Sequence, residues 1–441
     1  MATTGDGKFR NVSFGPVSRH QVQKASTSRQ SPYAEIGRTG LRQWGGYVME
    51  DFLSELQGRR AAEMFKEMGD NDPILSAMLY SAEMLVRKVE WWVEPASEDG
   101  SDVESQELVQ DILFNDLDTA WSDVVSEIMS MLQYGYHVCE TVYKKRPDGR
   151  IGLKKLATRA QDSLLKWEFE EGTDEVLAFV QQPPPSYGTY TIPFEKMLLF
   201  RTKIHKGNPE GRSVFRACVK AYAFKKSLEA LRGIGIERDL AGLPVLTPPD
   251  GVDLWNANDP AMVQLLAQAQ AMVSQVRRDE MEGVVKPSGW EFEPFKNGGP
   301  RQIDVNQAIN YYDQRMAMSM LADMITLGAD KVGSYALAGA KKDLYSAALE
   351  CYLDSIASVF NTHLIPRLGK LNGFDWPNGA PKLSHGPVQE ISLDQIAAML
   401  TALGTSGAPV FTGDMEDKLL TALFDRMGLP SPVSDETSEG E

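Results

Sequence analysis

The sequence is poor in the side chains on which many enzymes and disulfide-linked proteins depend. It contains 3 cysteines and 5 histidines in 441 residues. Cys139, Cys218 and Cys351 are odd in number and far apart, which argues against a disulfide framework and against zinc-ligand spacing. We therefore expect all three to be small buried hydrophobic residues. No two histidines have the i, i+4 spacing that places two metal ligands on one helix face.

Motifs of catalysis and of membrane insertion are absent as well. The sequence has no phosphate-binding loop, dinucleotide-binding glycine motif, H-E-x-x-H, G-x-S-x-G or C-x-x-C. It has no apolar run of about 18 residues, so we expect that the chain does not span a membrane. It has no apolar signal segment at its start, so we expect it to stay in the compartment where it is made, a cytoplasm. These absences favour a protein without cofactor or catalysis.

The charge balance is acidic. Asp and Glu number 61 against 45 Lys and Arg, which gives a formal net charge of −16. Because proteins bind DNA mainly by neutralising phosphates with Lys and Arg, this balance argues against tight DNA binding. Ordinary solubility explains it, and weak repulsion of DNA that slides past is the alternative.

The first residues differ from the remainder of the chain. Residues 1–40 are rich in Ser, Thr, Gly, Gln and Arg, and they contain few large apolar residues. This composition predicts a flexible N-terminal arm. Arg10, Arg19, Lys24 and Arg29 give the arm a charge opposite to that of the whole chain. A solvated tail and a contact arm both remain open as interpretations.

Helical and strand patterns alternate over residues 41–210, which predicts an α+β domain. Asp72-Pro73 predicts a helix start, because Asp is a good N-cap and Pro fits the first helical position. A helix pair is predicted over about 103–132, ending at Tyr134-Gly135-Tyr136. The alternating patterns predict strands at 89–93, 137–143, 151–156, 164–169, 175–180 and 196–201.

Two long amphipathic helices are predicted next, at about 213–231 and 305–327. At 1.5 Å per residue they would be roughly 28 and 34 Å long, which suits an antiparallel pair. A small α/β unit is predicted between them, with an edge strand at 243–249, a helix at 259–282 and short strands at 283–286 and 290–295.

A glycine-punctuated loop and a third long helix follow. The third helix carries apolar residues at spacings of 4, 3, 4 and 4, and Pro366 is expected to end or kink it. Further helices are predicted at 392–403 and 412–427, before an acidic tail. The fold class is therefore predicted to be α+β and predominantly helical.

The order of these elements resembles the portal proteins of tailed bacteriophages, in particular the Mu-like subgroup. Two segments carry the resemblance: Gly211-Arg212-Ser213, which leads into the first long helix, and Gln133-Tyr134-Gly135-Tyr136. The helices around Leu393–Leu403 are similar too. The resemblance implies a flexible N-terminal arm (1–40), an α+β wing (41–210), a first stem helix (211–232), a clip (233–304), a second stem helix (305–327), a tunnel loop (328–338), a long tunnel helix (339–372), and a C-terminal crown region with an acidic tail (373–441).

The same resemblance implies a function. Portal proteins form twelve-subunit rings at one capsid vertex, through which double-stranded DNA is packaged and ejected. The implied partners are further copies of the chain, the terminase large subunit, the major capsid or scaffold protein, and head-completion or adaptor proteins. The implied location is the virion, after assembly in the host cytoplasm. Twelve chains would together carry a charge of roughly −190, so a repulsive lumen would be easy to arrange.

Two groups of residues become candidates for that function. The DNA-facing loop candidates are Lys331, Ser334, Tyr335, Lys341 and Lys342, and the alternative is a connecting loop with solvated lysines. The terminase-docking candidates are Arg277, Arg278, Asp279, Glu280 and Glu282, and the alternative is a solvated helix end.

Two other functions stay open on the sequence. One is another virion protein, such as a minor head protein, whose assemblies need not be closed rings. The other is a metal-dependent DNA-processing enzyme with carboxylates gathered from distant segments. Cleavage of DNA in the presence of Mg²⁺, abolished by one carboxylate substitution, would identify the enzyme.

Overall fold

Helices and antiparallel strands alternate in the computed structural model, which describes residues 37–171, 173–241, 243–256, 258–275, 288–295, 304–319 and 335–389. The helices in these ranges are α1 (Gly58–Asn71), α2 (Pro73–Arg87), α3 (Gly100–Phe114), α4 (Trp121–Ile128), α5 (Ser130–Tyr134), α6 (Val219–Ala241), α7 (Pro260–Gln275), α8 (Val305–Ser319), α9 (Tyr335–Val359) and α10 (Ile365–Asn372). The strands are β1 (Gln43–Trp44), β2 (Tyr47–Val48), β3 (Trp91–Glu94), β4 (Tyr136–Lys145), β5 (Ile151–Arg159), β6 (Leu164–Phe169), β7 (Val176–Gln181), β8 (Tyr190–Pro193), β9 (Met197–Arg201), β10 (Leu243–Thr247), β11 (Glu291–Phe295) and β12 (Lys382–His385).

The antiparallel sheet β5-β4-β9 is buried on both faces. Successive side chains of a strand point to opposite faces, and β9 places apolar residues on both. Leu198 and Phe200 join one hydrophobic core, whereas Met197 and Leu199 join the other. This sheet therefore separates two cores, which explains why the sequence of β9 is apolar almost throughout.

The larger core lies between this sheet and the helices. Met68 of α1, Leu75 of α2, Ile128 of α4 and Leu353 of α9 are fully buried in it. The predicted start of α2 is confirmed: Asp72 Oδ1 accepts hydrogen bonds from the backbone N–H of Ile74 at 3.0 Å and of Leu75 at 3.1 Å. That cap satisfies backbone donors that a helix otherwise leaves without partners.

The smaller core lies under a second antiparallel sheet, β6-β7-β8, and the short hairpin β1-β2. Trp167 is its largest buried side chain, with ring centroids 5.3 Å from Phe179 and 5.7 Å from Tyr136 in edge-to-face geometry. The hairpin is attached through Gly46, whose carbonyl accepts the backbone N–H of Trp167 at 2.9 Å. The predictions did not include this hairpin, the helix α1 or the strand β8.

Several predicted helix boundaries are wrong. The expected helix pair over 103–132 is three helices, because the second helix of the pair is interrupted at Met129, which separates α4 from α5. The first long helix begins at Val219, since a 3-10 turn at Val214–Ala217 precedes it, and it ends at Ala241 rather than at about residue 231. The third begins at Tyr335, so residues 335–338, predicted as loop, are helical. Ala336, Leu337 and Ala338 are good helix formers.

The third long helix continues through Pro366 by way of one π-helical turn, Phe360–Leu364. Proline has no N–H, and its ring displaces the carbonyl four residues earlier, so a wider turn before it relieves the conflict. The helix then runs to Asn372, the predicted end. After it, β12 pairs with β3 and places Leu383 opposite Val93, a long-range pairing that was not predicted.

The three cysteines do not share one environment. Cys139 and Cys218 are buried, as predicted, but Cys351 is exposed on α9. Leu353, two positions further, is fully buried, and residues two apart lie on different sides of a helix. The expectation of a buried Cys351 is therefore wrong.

Gly46 makes a stability test with a control at the neighbouring residue. Gly45 and Gly46 both have positive φ, +59° and +92°, but only at Gly46 would a β-carbon meet another atom, 2.1 Å from the Trp167 carbonyl oxygen. Gly45→Ala should cost about 1 kcal/mol of backbone strain, and Gly46→Ala at least about 3 kcal/mol. Urea denaturation followed by tryptophan fluorescence measures both. Equal losses would contradict this account of the hairpin.

Candidate functional site at the base of the long helix pair

The two segments that carry the sequence resemblance meet in space. Gly135 (φ +96°) and Gly211 (φ +56°) face each other, and a β-carbon on Gly211 would lie 2.2 Å from the Gly135 carbonyl oxygen. That oxygen accepts the backbone N–H of Thr202 at 3.0 Å. The Ser213 hydroxyl donates to the Gln133 carbonyl oxygen. Only glycine allows this approach of two backbones, which explains both glycines.

This junction fixes where the first long helix begins. The Ser213 hydroxyl also accepts the backbone N–H of Phe215 at 3.0 Å, which caps the 3-10 turn before α6. Phe215 is fully buried in the larger core. The Gln133 side chain donates to the Phe65 carbonyl oxygen of α1 at 2.9 Å. The start of the long helix is therefore tied to α1, α5 and the central sheet.

A buried ion cluster lies about two helical turns beyond the start of α6. Lys225 Nζ is 2.9 Å from Asp72 Oδ2 and 2.6 Å from Asp313 Oδ1. The Lys225 and Asp72 side chains are only 4% and 2% exposed. Because Asp72 caps α2 and Asp313 belongs to α8, this lysine joins three helices.

Burial by itself would lower the pKa of Lys225, but its hydrogen bonds and charge interactions with Asp313 and Asp72 outweigh burial and raise it. A raised lysine pKa stabilises the folded state fully at pH values below the pKa of the unfolded chain, about 10.4. The contribution is lost only as the pH rises through the folded value. Lys225 is therefore charged throughout the neutral range.

The helices α6 and α8 form an antiparallel pair, as predicted. The rings of Phe224 and Tyr312 stack with centroids 5.9 Å apart, and Cys218 approaches the Met316 carbonyl oxygen. The two helices of the pair also leave many apolar side chains in solvent. The exposed fractions are 60% for Leu231, 49% for Ile234, 46% for Ile236, 53% for Tyr311 and 61% for Met318. Such an extended apolar surface is typical of helices that pack against a further partner.

The residues predicted to face DNA or the terminase lie only partly within the described ranges. Tyr335 lies in α9 rather than in the predicted loop. Lys341 and Lys342 lie in the same helix, as expected, and Lys342 is exposed. Lys331 and Ser334 lie outside the described residues. The docking candidates Arg277, Arg278, Asp279, Glu280 and Glu282 lie outside them as well.

The sequence analysis missed Lys225 and Asp313. A signal was present for the lysine, because Lys225 follows Ala221 at i+4 and precedes Leu228 at i+3. This spacing puts a charge within the apolar stripe of α6, where a lysine needs a partner. Nothing in the local pattern identified Asp313 as that partner.

The part of the chain that the structure describes holds no group of three or more His, Cys, Asp or Glu side chains able to bind a metal. Within that same part, no helix combines the length and apolar character needed to cross a bilayer.

Lys225→Met tests the ion cluster, with Lys226→Met as the matched control. Loss of Lys225 leaves two carboxylates facing each other in a buried site, so the variant should lose about 3 kcal/mol of unfolding free energy. Lys226 is 63% exposed and pairs with Glu67 at the surface, so its replacement should cost less than about 1 kcal/mol. Chemical denaturation at neutral pH measures both. Similar losses of unfolding free energy in the two variants would show that the buried cluster stabilises the fold no more than a surface ion pair does.

Comparison with known proteins identifies the chain. Solved structures of gene transfer agent (GTA) particles share its fold: a chain of the native virion has a TM-score of 0.52 at 12% identity, covering 88% of this chain and 97% of that one. Chains of the empty-particle neck with C6 symmetry and of the native neck with C12 symmetry both have a TM-score of 0.50, at 13% and 12% identity. They cover 84% and 85% of this chain and 94% and 95% of theirs. The family described as the portal protein of Mu bacteriophage matches residues 62–419, which is most of the sequence, and the chain therefore belongs to that portal protein family.

Proposed function

We propose that this portal protein assembles into a closed ring at the capsid vertex and that double-stranded DNA passes through the ring during packaging and ejection. The family match supports a portal role. The neck structures that share the fold were determined with C6 and C12 symmetry, which supports a ring of twelve subunits. The protein acts as a structural conduit, and the energy for DNA movement comes from the terminase ATPase, a separate chain.

The observation that carries this proposal is the α6–α8 pair. Its base is locked into the larger core by Lys225, whereas Leu231, Ile234 and Met318 remain about half or more exposed. Exposure of so many apolar side chains on two rigidly held helices is unfavourable in an isolated subunit. Neighbouring copies related by rotation would cover them, because a ring buries the same surfaces in every subunit.

The described elements suit the parts of a portal subunit. Residues 41–210 correspond to the wing, and α6 and α8 to the two stem helices. The antiparallel pair β10-β11 and the helix α7 correspond to the clip, where the terminase and later the head-completion proteins dock. The helix from Tyr335 to Asn372 corresponds to the tunnel helix. These assignments shift the end of the tunnel loop from residue 338 to residue 334.

The charge of the chain supports passage rather than tight binding of DNA. At −16 per subunit, a ring carries a large net negative charge that repels phosphates, so DNA slides with weak contacts. Lys331, Ser334, Tyr335, Lys341 and Lys342 remain the proposed sites of such contacts. Assembly takes place in the host cytoplasm, with the capsid or scaffold protein as a further partner.

Ring formation is tested by charged substitutions on the exposed stem surface. Leu231→Glu with Ile234→Glu should abolish rings in negative-stain micrographs, because each subunit would bury two unpaired carboxylates. The melting temperature of the isolated subunit should stay within a few degrees, since both positions are exposed. Leu177→Glu is the control at an exposed position of β7, and it should still form rings. Rings of the double variant in normal yield would refute the stem interface.

The tunnel loop is tested by deletion of residues 331–334, which leaves the helix from Tyr335 intact. Rings should form as in the full chain, because the long helices are unchanged. DNA packaging or retention in particles should fall, since two of the proposed contacts with the duplex, Lys331 and Ser334, are lost. Normal packaging by the deletion would show that the loop does not touch the DNA.

A further inference from the structure

A cavity of about 460 Å³ opens beside the junction described above, between residues 48–65 and residues 203–216. This volume lies within the range of sites that hold a small ligand or a few side chains. Its apolar wall is made by Phe52, Leu56, Phe65, Tyr134 and Tyr136. Phe52 stands at the rim and is 82% exposed. A large exposed aromatic ring next to a cavity is typical of a surface that another group covers.

The carboxylates that line the cavity are not equivalent. Glu50 pairs with Lys206 at 3.2 Å, and Asp51 pairs with Arg216. Glu210 takes part in no ion pair among the described residues and accepts only the Trp167 Nε1–H, at 3.3 Å. Burial raises the pKa of Glu210 to about 7. A carboxylate kept in such a place without a cation is costly, and a cationic group entering the cavity would offset that cost.

The cavity also has cationic neighbours. Lys203, His205 and Arg212 border it, but all three are largely exposed to solvent. None of them forms an ion pair with Glu210 in the described part of the chain. The cavity therefore combines an apolar wall with one carboxylate that lacks a positive partner.

The chain itself contains a segment of matching chemistry. Residues 1–36 precede the described structure and hold the cations Lys8, Arg10, Arg19, Lys24 and Arg29 against the acids Asp6 and Glu35. The two phenylalanines of that stretch, Phe9 and Phe14, flank basic and small residues in Lys8-Phe9-Arg10-Asn11-Val12-Ser13-Phe14. Residues 8–14 thus offer an aromatic ring and a cation close together.

The described chain starts beside the cavity. The Thr39 methyl group lies 3.9 Å from the position that a β-carbon on Gly207 would occupy. Gly207 lies in the chain between His205 and Asn208, which both line the cavity. The residues between Phe14 and Gly37 can span tens of Å when extended. A tether that begins at the rim gives the segment a high effective concentration at the site.

We propose that this cavity is a docking site for residues 8–14 of the same chain, with a phenylalanine ring against the apolar wall and Lys8 or Arg10 paired with Glu210. The arm is then a contact arm rather than a solvated tail. It covers the junction from which the first long helix begins. This proposal does not depend on ring formation or on DNA passage.

Amide hydrogen exchange of the full chain and of a chain lacking residues 2–14 tests the proposal. Backbone amides of residues 50–58 and 203–212 should exchange roughly fivefold or more slowly in the full chain, because the docked segment restrains the cavity walls. Size-exclusion chromatography verifies that both chains are compared in the same oligomeric state. Equal exchange rates at both walls would overturn the proposal.

Substitutions separate recognition from simple coverage. In the full chain, Glu210→Gln, and separately Phe9→Ser with Phe14→Ser, should raise exchange at the cavity walls towards the rate of the truncated chain. Glu107→Gln, which removes the same charge from an exposed position of α3, should leave it unchanged. In the truncated chain, Glu210→Gln should have no such effect, since the segment is already gone. Full protection in the Glu210→Gln variant would overturn the pairing with Glu210.

A mixing experiment shows whether the segment acts within its own chain. Truncated chains labelled with ¹⁵N are assembled with unlabelled full chains, and exchange is measured in the labelled cavity walls alone. Docking within the chain predicts that the labelled copies stay unprotected. Protection of the labelled copies would mean that arms reach between copies, and it would overturn the assignment to the same chain.

Discussion

The contact between Gly135 and Gly211 is the constraint on which the other features depend. One glycine ends α5 and opens the central strand β4, and the other lies just before the turn that starts α6. The two backbones touch because neither glycine has a side chain that would separate them. This contact sets the direction in which the long helix leaves the sheets.

The Lys225 cluster then determines how α8 returns. A single cation between two carboxylates in a largely buried site tolerates little displacement, since any separation leaves a buried charge unpaired. Asp313 must therefore lie opposite Lys225, and this fixes the register of the helix pair more sharply than the stacked rings of Phe224 and Tyr312 do. A fixed register between α6 and α8 matters in a ring, because a shift of one helix along the other would be repeated in each copy.

Local chemistry in the sequence predicted local structure well. The Asp72-Pro73 start of α2, the strand after Gly135 and the edge strand at Leu243 all depend on residues within a few positions of one another. Prediction failed where distant residues decide the outcome. The pairing of β12 with β3 and the Lys225–Asp313 contact join segments far apart in the chain, and no periodicity records such partners. Cys351 shows a third case, in which residue type favoured burial but the helix face did not.

The π-helical turn before Pro366 has a consequence for the shape of the channel subunit. A turn of this kind adds one residue to the helix without ending it, which rotates everything after it by about 100° relative to a regular helix. The first part of the long helix packs against β9 and β12, whereas α10 packs against β5. The inserted residue thus resets the helical phase, and one continuous rod packs against β12 and against both edge strands, β9 and β5, of the central sheet. Movement of the rod along its axis would have to carry both sheets together, so the long helix and the sheets behind it form a single mechanical unit.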